Sequence, residues 1–457
     1  MIGGLPFRDR TVAVLGLARS GLAAAEALAG SGANVLAWDD SPTARDRAAA
    51  RGVPIRDLGA EPADRWSALV MSPGIPLTRN PHPVAERALA AGVRVIGDIE
   101  LLWRAGTGAH LVGITGTNGK STTTALVGHI LKSAGREVAV GGNLGIPVLT
   151  LPRLGPGGCY VVEMSSFQLD LVDETRFDVA ILLNITPDHL DRHGDMAGYV
   201  AAKRRIFRHQ DATTTAVVGV DDPESASIAE SLRREGVAVV PVSVGRTVPG
   251  GVWVADGQLF DGGDVPVMDL RPVPSLPGRH NWQNAAAAFA ACRALGLVRD
   301  DIAAGMRSFP GLAHRQELVG TIGRVRFVND SKATNADAAG KALACYDRIH
   351  WIAGGRAKAG GIASLVEFFP RIARAYLIGE AAEEFARTLE GQTPFTHCGD
   401  LSTAMREAAV AAAADSAPAP VVLLSPACAS FDQFPDFEVR GEAFRALAQG
   451  LMAEAVR

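Results

Sequence analysis

A chain of 457 residues exceeds what one hydrophobic core organises, so about two to four domains are expected. Its 45 Lys and Arg nearly balance 49 Asp and Glu, leaving a net charge of −4, and that excludes nucleic acid as a bulk partner, because phosphate neutralisation needs a basic surface. The five cysteines, Cys159, Cys292, Cys345, Cys398 and Cys428, form no C-x-x-C, which argues against a zinc site or a disulfide framework. No apolar run is long enough to span a bilayer and the first residues lack a signal-peptide core, so a cytoplasmic protein without membrane insertion is expected.

Strand-like apolar runs alternate with helical patterns nearly throughout, which predicts α/β layers around largely parallel sheets. The first block opens with a predicted strand over 11–15, then GLARSG, a helix over 22–29 and a strand over 34–37 that ends in Asp39-Asp40. Shorter strands are predicted at 68–71 and 94–96. Gly16-x-Ala18-x-x-Gly21, with Asp39 about twenty residues on, is close to a dinucleotide fingerprint and invites the reading of a nicotinamide-dependent oxidoreductase. The middle glycine is replaced by Ala18, whose methyl group obstructs a pyrophosphate. We therefore read a nucleotide-recognition domain without redox chemistry, with Asp39, Asp40 and the loop Ser72-Pro73-Gly74 at strand ends facing one crevice.

Residues 113–124, GITGTNGKSTTT, follow the apolar run 110–114 and precede an amphipathic stretch over 125–134. A strand, a glycine-rich bend ending in Lys120-Ser121 and a helix form a triphosphate cradle. Backbone N–H groups and the helix N-terminus meet the phosphates, the lysine caps them and the hydroxyl ligates magnesium. The strict pattern would require glycine at Ile114; here the glycines are Gly113, Gly116 and Gly119. Further strands are predicted at 160–162, 179–183 and 215–218, then a β-rich region over 251–270 and a helix over 281–295.

Glu163 follows the strand 160–162, where an acid beside a phosphate loop completes a magnesium shell of oxygen ligands. The run Asn184-Ile185-Thr186-Pro187-Asp188-His189-Leu190-Asp191-Arg192-His193 also follows a strand, and His189 is its best ligand candidate, ahead of Asp188 and His193. Lys203, within AAKRRIF, reads on its own as one member of a solvated basic helix face. A third block shows strand–loop–helix units with strands over 325–328, 350–353, 375–378 and 421–424. Seams are expected near 97–108 and 309–313.

These motifs, in this order, resemble the Mur ligases, ATP-dependent amide-forming enzymes of peptidoglycan precursor synthesis: GITGTNGKSTTT, VVEMSSFQL, NITPDHLDRHG, AAKRRIF, GRHNWQN and GLAHRQE. NDSKATN (329–335) and LSPACASFDQFPDFEVRGEAF (424–444) resemble the branch that joins D-glutamate to UDP-N-acetylmuramoyl-L-alanine. The resemblance spans residues 11–445 and implies three α/β domains: a Rossmann-like UDP-substrate domain (1–98), a central P-loop ATPase-like domain with a mixed sheet (99–311), and a Rossmann-like C-terminal domain (312–457). The last closes over ATP and binds D-glutamate. A monomer is expected.

Carried over by motif, Gly116, Thr117, Asn118, Gly119, Lys120, Ser121 and Thr122 hold the ATP phosphates. Ser121 and Glu163 ligate one magnesium ion; His189 and Lys203 serve a second, with Lys203 carbamylated. The resemblance gives Lys120, His189 and Lys203 the catalytic roles. It brings Asn281 and Asn284 near the adenine, Arg315 to the phosphates and Asp330 to the ATP ribose. Ser20, Ser72 and Gly74 match uridine-diphosphate contacts, and Asn143 and Ser165 the muramoyl-alanine end. Lys332, Thr334, Lys358, Ser430 and Phe437 match the D-glutamate pocket. Two departures stand out. The loop after Trp38 reads Asp-Asp-Ser, without the threonine–arginine pair used by some members against uracil, and the glycine-rich stretch 354–361 departs from the usual pattern after Lys358.

Overall fold

A computed structural model describes residues 2–143, 145–358 and 360–455. Its strands fall into three sheets. The first contains β1 (Thr11–Leu15), β2 (Asn34–Trp38), β3 (Ala68–Met71) and β4 (Val95–Ile96), all parallel in the order β2-β1-β3-β4. Strands this apolar are covered on both faces, as parallel crossovers require; Val12, Ala13 and Val14 are fully buried. The helix after β1 runs Arg19–Gly30, starting before the predicted residue 22, because Ala18 already has the extended conformation of an N-cap.

The second sheet comprises β5 (His110–Thr115), β6 (Val138–Gly142), β7 (Cys159–Glu163), β8 (Val179–Leu182), β9 (Thr215–Gly219), β10 (Ala238–Val244), β11 (Val252–Ala255), β12 (Gln258–Asp261) and β13 (Pro266–Asp269). Their order is β13-β12-β11-β10-β9-β8-β5-β7-β6, parallel except where β11, β12 and β13 form an antiparallel meander at one edge. The mixed sheet expected here is thus observed. Its strand β5, third from the β6 edge, pairs with β7 and β8, so their carboxyl ends, Thr115, Glu163 and Leu182, share one rim. This is where an open parallel sheet receives its ligand.

The third sheet contains β14 (Glu317–Ile322), β15 (Val325–Asn329), β16 (Ile349–Gly354), β17 (Ile372–Ile378), β18 (Phe395–Gly399) and β19 (Val421–Leu424). Its order is β14-β15-β19-β16-β17-β18, with only the edge strand β14 antiparallel. Apolar residues bury both faces, around Trp351 and Phe385 on one and Tyr376 and Phe444 on the other.

By compactness the chain divides into two units. Residues Met1–Asp269 and Gln283–Phe309 form one, with the first two sheets; Leu270–Trp282 and Pro310–Arg457 form the other, with the third.

Within the first unit, Glu100 fastens the first sheet's block to the second. Its carboxylate is fully buried and accepts from the N–H groups of Asp173, Glu174 and Thr175, from the Thr175 hydroxyl, and from Arg104 Nε at 2.8 Å. Charge-assisted bonds of this kind offset the cost of burying the carboxylate. They hold its pKa below the usual range despite burial. Among the described residues no helix is long and apolar enough to cross a membrane.

Candidate active site

The bend after β5 is built by glycines that no other residue replaces cheaply. Gly119, the N-cap of helix Lys120–Ser133, has φ +85°, and a Cβ there would lie 2.1 Å from Asn284 Oδ1. Positive φ and that close approach both demand glycine. The loop is braced from one side: Thr117 N–H donates to Asn184 O (2.9 Å), Asn118 N–H donates to Asn184 Oδ1 (2.9 Å), and the Thr117 hydroxyl meets Tyr199 at 3.1 Å. Gln283 donors and acceptors extend the brace, with Asn184 Nδ2 donating to Gln283 Oε1 at 2.9 Å.

Two lysines meet at this bend. Lys120 Nζ donates to the carbonyls of Gly116 and Thr117 at 2.9 and 2.8 Å. Lys203 Nζ donates to Gly116 O at 2.8 Å and lies 4.8 Å from the centre of the Tyr199 ring. Lys203 is 1% exposed, which corrects the solvated reading of AAKRRIF: helix Met196–Arg204 turns its neighbours Arg204 and Arg205 partly outward and this one lysine onto the phosphate loop. Burial, and then the charge of Lys120, push its pKa well below the usual lysine value.

Glu163, at the end of β7, is also buried. Its Oε1 accepts from Asn143 Nδ2 at 2.8 Å, while Oε2 is buried without a hydrogen-bond partner among the described residues. A buried acceptor left over in this way fits a hard cation taking oxygen ligands. Among the described residues no three His, Cys, Asp or Glu side chains form a metal cage. His189 is half exposed, at left-handed φ 51°, 3.4 Å from Asp188 and with its ring tilted at 56° to that of Phe167, 5.0 Å between centroids. His193 meets Ser166 Oγ at 3.0 Å. Ser165 caps helix Ser166–Leu169, its hydroxyl accepting from Gln168 N–H.

In the first sheet, Ser20, Ser72 and Gly74 line one cavity of about 360 Å³ with Gly16, Ala18, Arg19, Asp39 and Asp40. Gly16 and Gly21 are forced by packing: a Cβ on Gly21 would lie 1.8 Å from Gly16 O. Asp39 and Asp40 line this cavity, and Asp39 also has a local role. Its carboxylate accepts from the N–H groups of Leu17 (2.6 Å) and Ser41 (2.8 Å), fixing the turn, while Asp40 pairs with His82 at 3.2 Å.

In the second unit, Asp330 follows β15. Burial raises its pKa to about 7, opposed by the Ser425 hydroxyl at 2.8 Å and Gln316 N–H at 3.1 Å. Lys332 Nζ lies 3.8 Å over the Phe437 ring, and Ser430 is buried. Thr334 N–H donates to Lys332 O, and Gly361 N–H to Lys358 O; Ala359 of that loop lies outside the described residues. Arg315 follows His314 in the same unit, and Asn281 Nδ2 donates to Pro277 O at 2.8 Å.

Arg440 was not singled out by sequence. It is 1% exposed and ties the loops together, Nε donating to Ser331 Oγ (3.0 Å) and Nη2 to the carbonyls of Ser331 (2.8 Å) and Cys428 (3.1 Å). Its only sequence signal is its place in the run 424–444.

Residues 114–292 match the Mur ligase middle domain and residues 314–428 the Mur ligase glutamate ligase domain. Similarity to a UDP-N-acetylmuramoylalanine--D-glutamate ligase of Caulobacter vibrioides is 54% identity, covering 98% of this chain and 97% of that one. The chain belongs to the Mur ligase family. This Mur ligase is also 55% identical to the enzyme of the same name in Rhodospirillum rubrum, over 97% of this chain and 95% of that one. Among solved structures, MurF from Acinetobacter baumannii shares the fold with a TM-score of 0.58 at 20% identity, covering 91% of each chain. UDP-N-acetylmuramate-alanine ligase from Thermotoga maritima does so with 0.56 at 17%, covering 96% of this Mur ligase and 99% of that chain.

Proposed function

We propose that this Mur ligase uses ATP to join D-glutamate to UDP-N-acetylmuramoyl-L-alanine, a step in the synthesis of peptidoglycan precursor. The observation that carries this reading is the near full-length identity of 54% to relatives of that name. It is supported by a phosphate loop flanked by Glu163 and Lys203. The chain is an ATP-dependent amide-bond-forming ligase.

A carboxylate carries no leaving group that an amine can displace. Attack of the alanyl carboxylate on the terminal phosphorus of ATP forms an O–P bond as the bond to the β-phosphate oxygen breaks, which releases ADP and gives an acyl phosphate. The amine of D-glutamate then adds to the acyl carbon, loses a proton and expels phosphate, leaving the amide. The first step brings two anions together, so the cationic Lys120 on the loop lowers its barrier by offsetting charge in the transition state. Magnesium, when bound, supplies further charge cancellation on the phosphate oxygens. Glu163 and Ser121 would hold one ion; His189 and Lys203 would serve a second.

A neutral amine is the form that adds to carbon dioxide, and the depressed pKa of Lys203 keeps that form populated. Its carbamate would present two anionic oxygens to a cation in place of a repelled ammonium. In this reading Ser20, Ser72 and Gly74 meet the uridine diphosphate, Asn143 and Ser165 the muramoyl-alanine end. Asn281, Asn284, Arg315 and Asp330 meet ATP. Lys332, Thr334, Lys358, Ser430 and Phe437 receive D-glutamate, whose carboxylates suit a lysine and hydroxyl groups.

We assign three domains, 1–98, 99–311 and 312–457, the outer two Rossmann-like, in a cytoplasmic monomer. The test is product analysis with ATP, UDP-N-acetylmuramoyl-L-alanine and either glutamate enantiomer. Amide formation with D-glutamate alone, matched by ADP and phosphate release, is expected; turnover with L-glutamate or with L-alanine instead overturns the substrate assignment.

A further inference from the structure

Arg192 stands outside the cavity of the first sheet, yet it holds one of its walls. It projects from the short helix Leu190–His193 of the second sheet's block. Nη1 donates to Gly74 O at 3.2 Å, and Nη2 donates to Pro73 O at 3.2 Å and Ile75 O at 2.6 Å. Three consecutive carbonyls of the Ser72–Ile75 loop therefore converge on one guanidinium. In a trans peptide the N–H points opposite to the carbonyl of the same unit. Drawing the Pro73 carbonyl toward Arg192 thus turns the Gly74 N–H away from it. That amide is the donor the loop can offer, since the Ile75 N–H donates to Ser72 O at 3.1 Å and Pro76 has no N–H, and it faces away because the acceptors are collected on the other side.

The collecting group is itself held in place. The Arg192 guanidinium lies 4.8 Å over the Phe167 ring, and that ring packs against His189 (5.0 Å) and His193 (5.7 Å). Both histidines reach Tyr199, whose hydroxyl meets Thr117 of the phosphate loop. A planar fork with several donors is needed here, since a lysine ammonium could not span three carbonyls and stack on a ring together.

We propose that Arg192 is a positioning residue for the nucleoside-diphosphate end of the substrate, acting through the backbone of Pro73–Ile75 and linking that loop to the phosphate-loop side of the site. The proposal rests on the reading of Ser72 and Gly74 as diphosphate contacts. Without Arg192, three carbonyl dipoles would lose their shared cation and the loop would be free to turn them toward the anion.

The experiment measures binding of uridine diphosphate by calorimetry, with steady-state kinetics, in the wild type, Arg192→Lys and Arg192→Ala. Wild-type binding tests the underlying reading, and its absence removes both that reading and this proposal. Given wild-type binding, both variants are expected to bind uridine diphosphate at least tenfold more weakly. KM for the UDP substrate should rise in step, KM for ATP should stay within about twofold, and guanidinium ion should partly restore the Ala variant. Arg192→Lys keeps the stem packed and guards against simple misfolding, which thermal melting would reveal. Wild-type affinity for uridine diphosphate in the Lys variant overturns the proposal. So does an equal rise in KM for every substrate.

Discussion

The Nζ atoms of Lys120 and Lys203 both donate to the carbonyl oxygen of Gly116, at 2.9 and 2.8 Å. Two like charges sharing one acceptor repel, and the buried partner yields: Lys203 is the amine driven toward neutrality. Lys120 opens the helix that follows the bend.

Lys120→Ala should therefore lower ATP turnover by about 10²–10³-fold or more while leaving uridine-diphosphate affinity nearly intact. Coupled ADP-release assays and calorimetry measure the two. Turnover close to wild type would remove the phosphate-loop assignment.

Lys203→Ala should be inactive and partly rescued by short carboxylic acids, which restore the missing anionic oxygens. Lys203→Arg puts a permanent cation at this place and cannot form a carbamate, so it should stay inactive. Full activity in the Arg variant would show that carbamylation is not needed.

Glu163→Gln removes the negative charge from the carboxylate whose Oε2 is buried without a partner. Its magnesium requirement should rise by about tenfold or more, read from activity against free magnesium. An unchanged requirement would separate Glu163 from the cation.

Asp98 offers a test on stability. It is buried, and burial lifts its pKa from 3.8 to about 6, opposed by hydrogen bonds from the Ile99 N–H and from Ser20 and Gln168. Below about pH 4 the carboxyl is protonated in folded and unfolded chains alike; above pH 6 the folded chain bears an ionised, buried group. The wild type should lose up to about 3 kcal/mol across that window. Asp98→Asn escapes this loss, so its stability relative to wild type should grow by about 1–3 kcal/mol between pH 4.5 and 7.5, measured by urea unfolding. A constant difference would mean that Asp98 titrates alike in both states.

Local signals were readable and distant ones were not. The phosphate loop, Glu163 and the strands around them follow from short-range spacing, since a strand end, a glycine bend and a helix start are contiguous in the chain. Lys203 shows the limit: among Arg204 and Arg205 it looks solvated, and only packing of its helix over the loop buries it. Asp39 lies where the spacing put it, on the lining of the cavity, but the N–H groups of Leu17 and Ser41 that its carboxylate also receives were not legible. Arg192 and Arg440 bond to loops more than a hundred residues away. Neither spacing nor periodicity carries that information, which emerges only when the sheets are assembled.

The carboxylate of Glu100 sets a limit on dissection. A central fragment begun at His110 would strip the turn 173–175 of the oxygen that receives three of its amides and a hydroxyl. The isolated amino-terminal piece, ending where Asp98 opens helix Asp98–Arg104, would lose the acid altogether. A cut beyond Arg104 keeps Glu100 but strands its carboxylate without those donors, so either boundary has to be repaired by design.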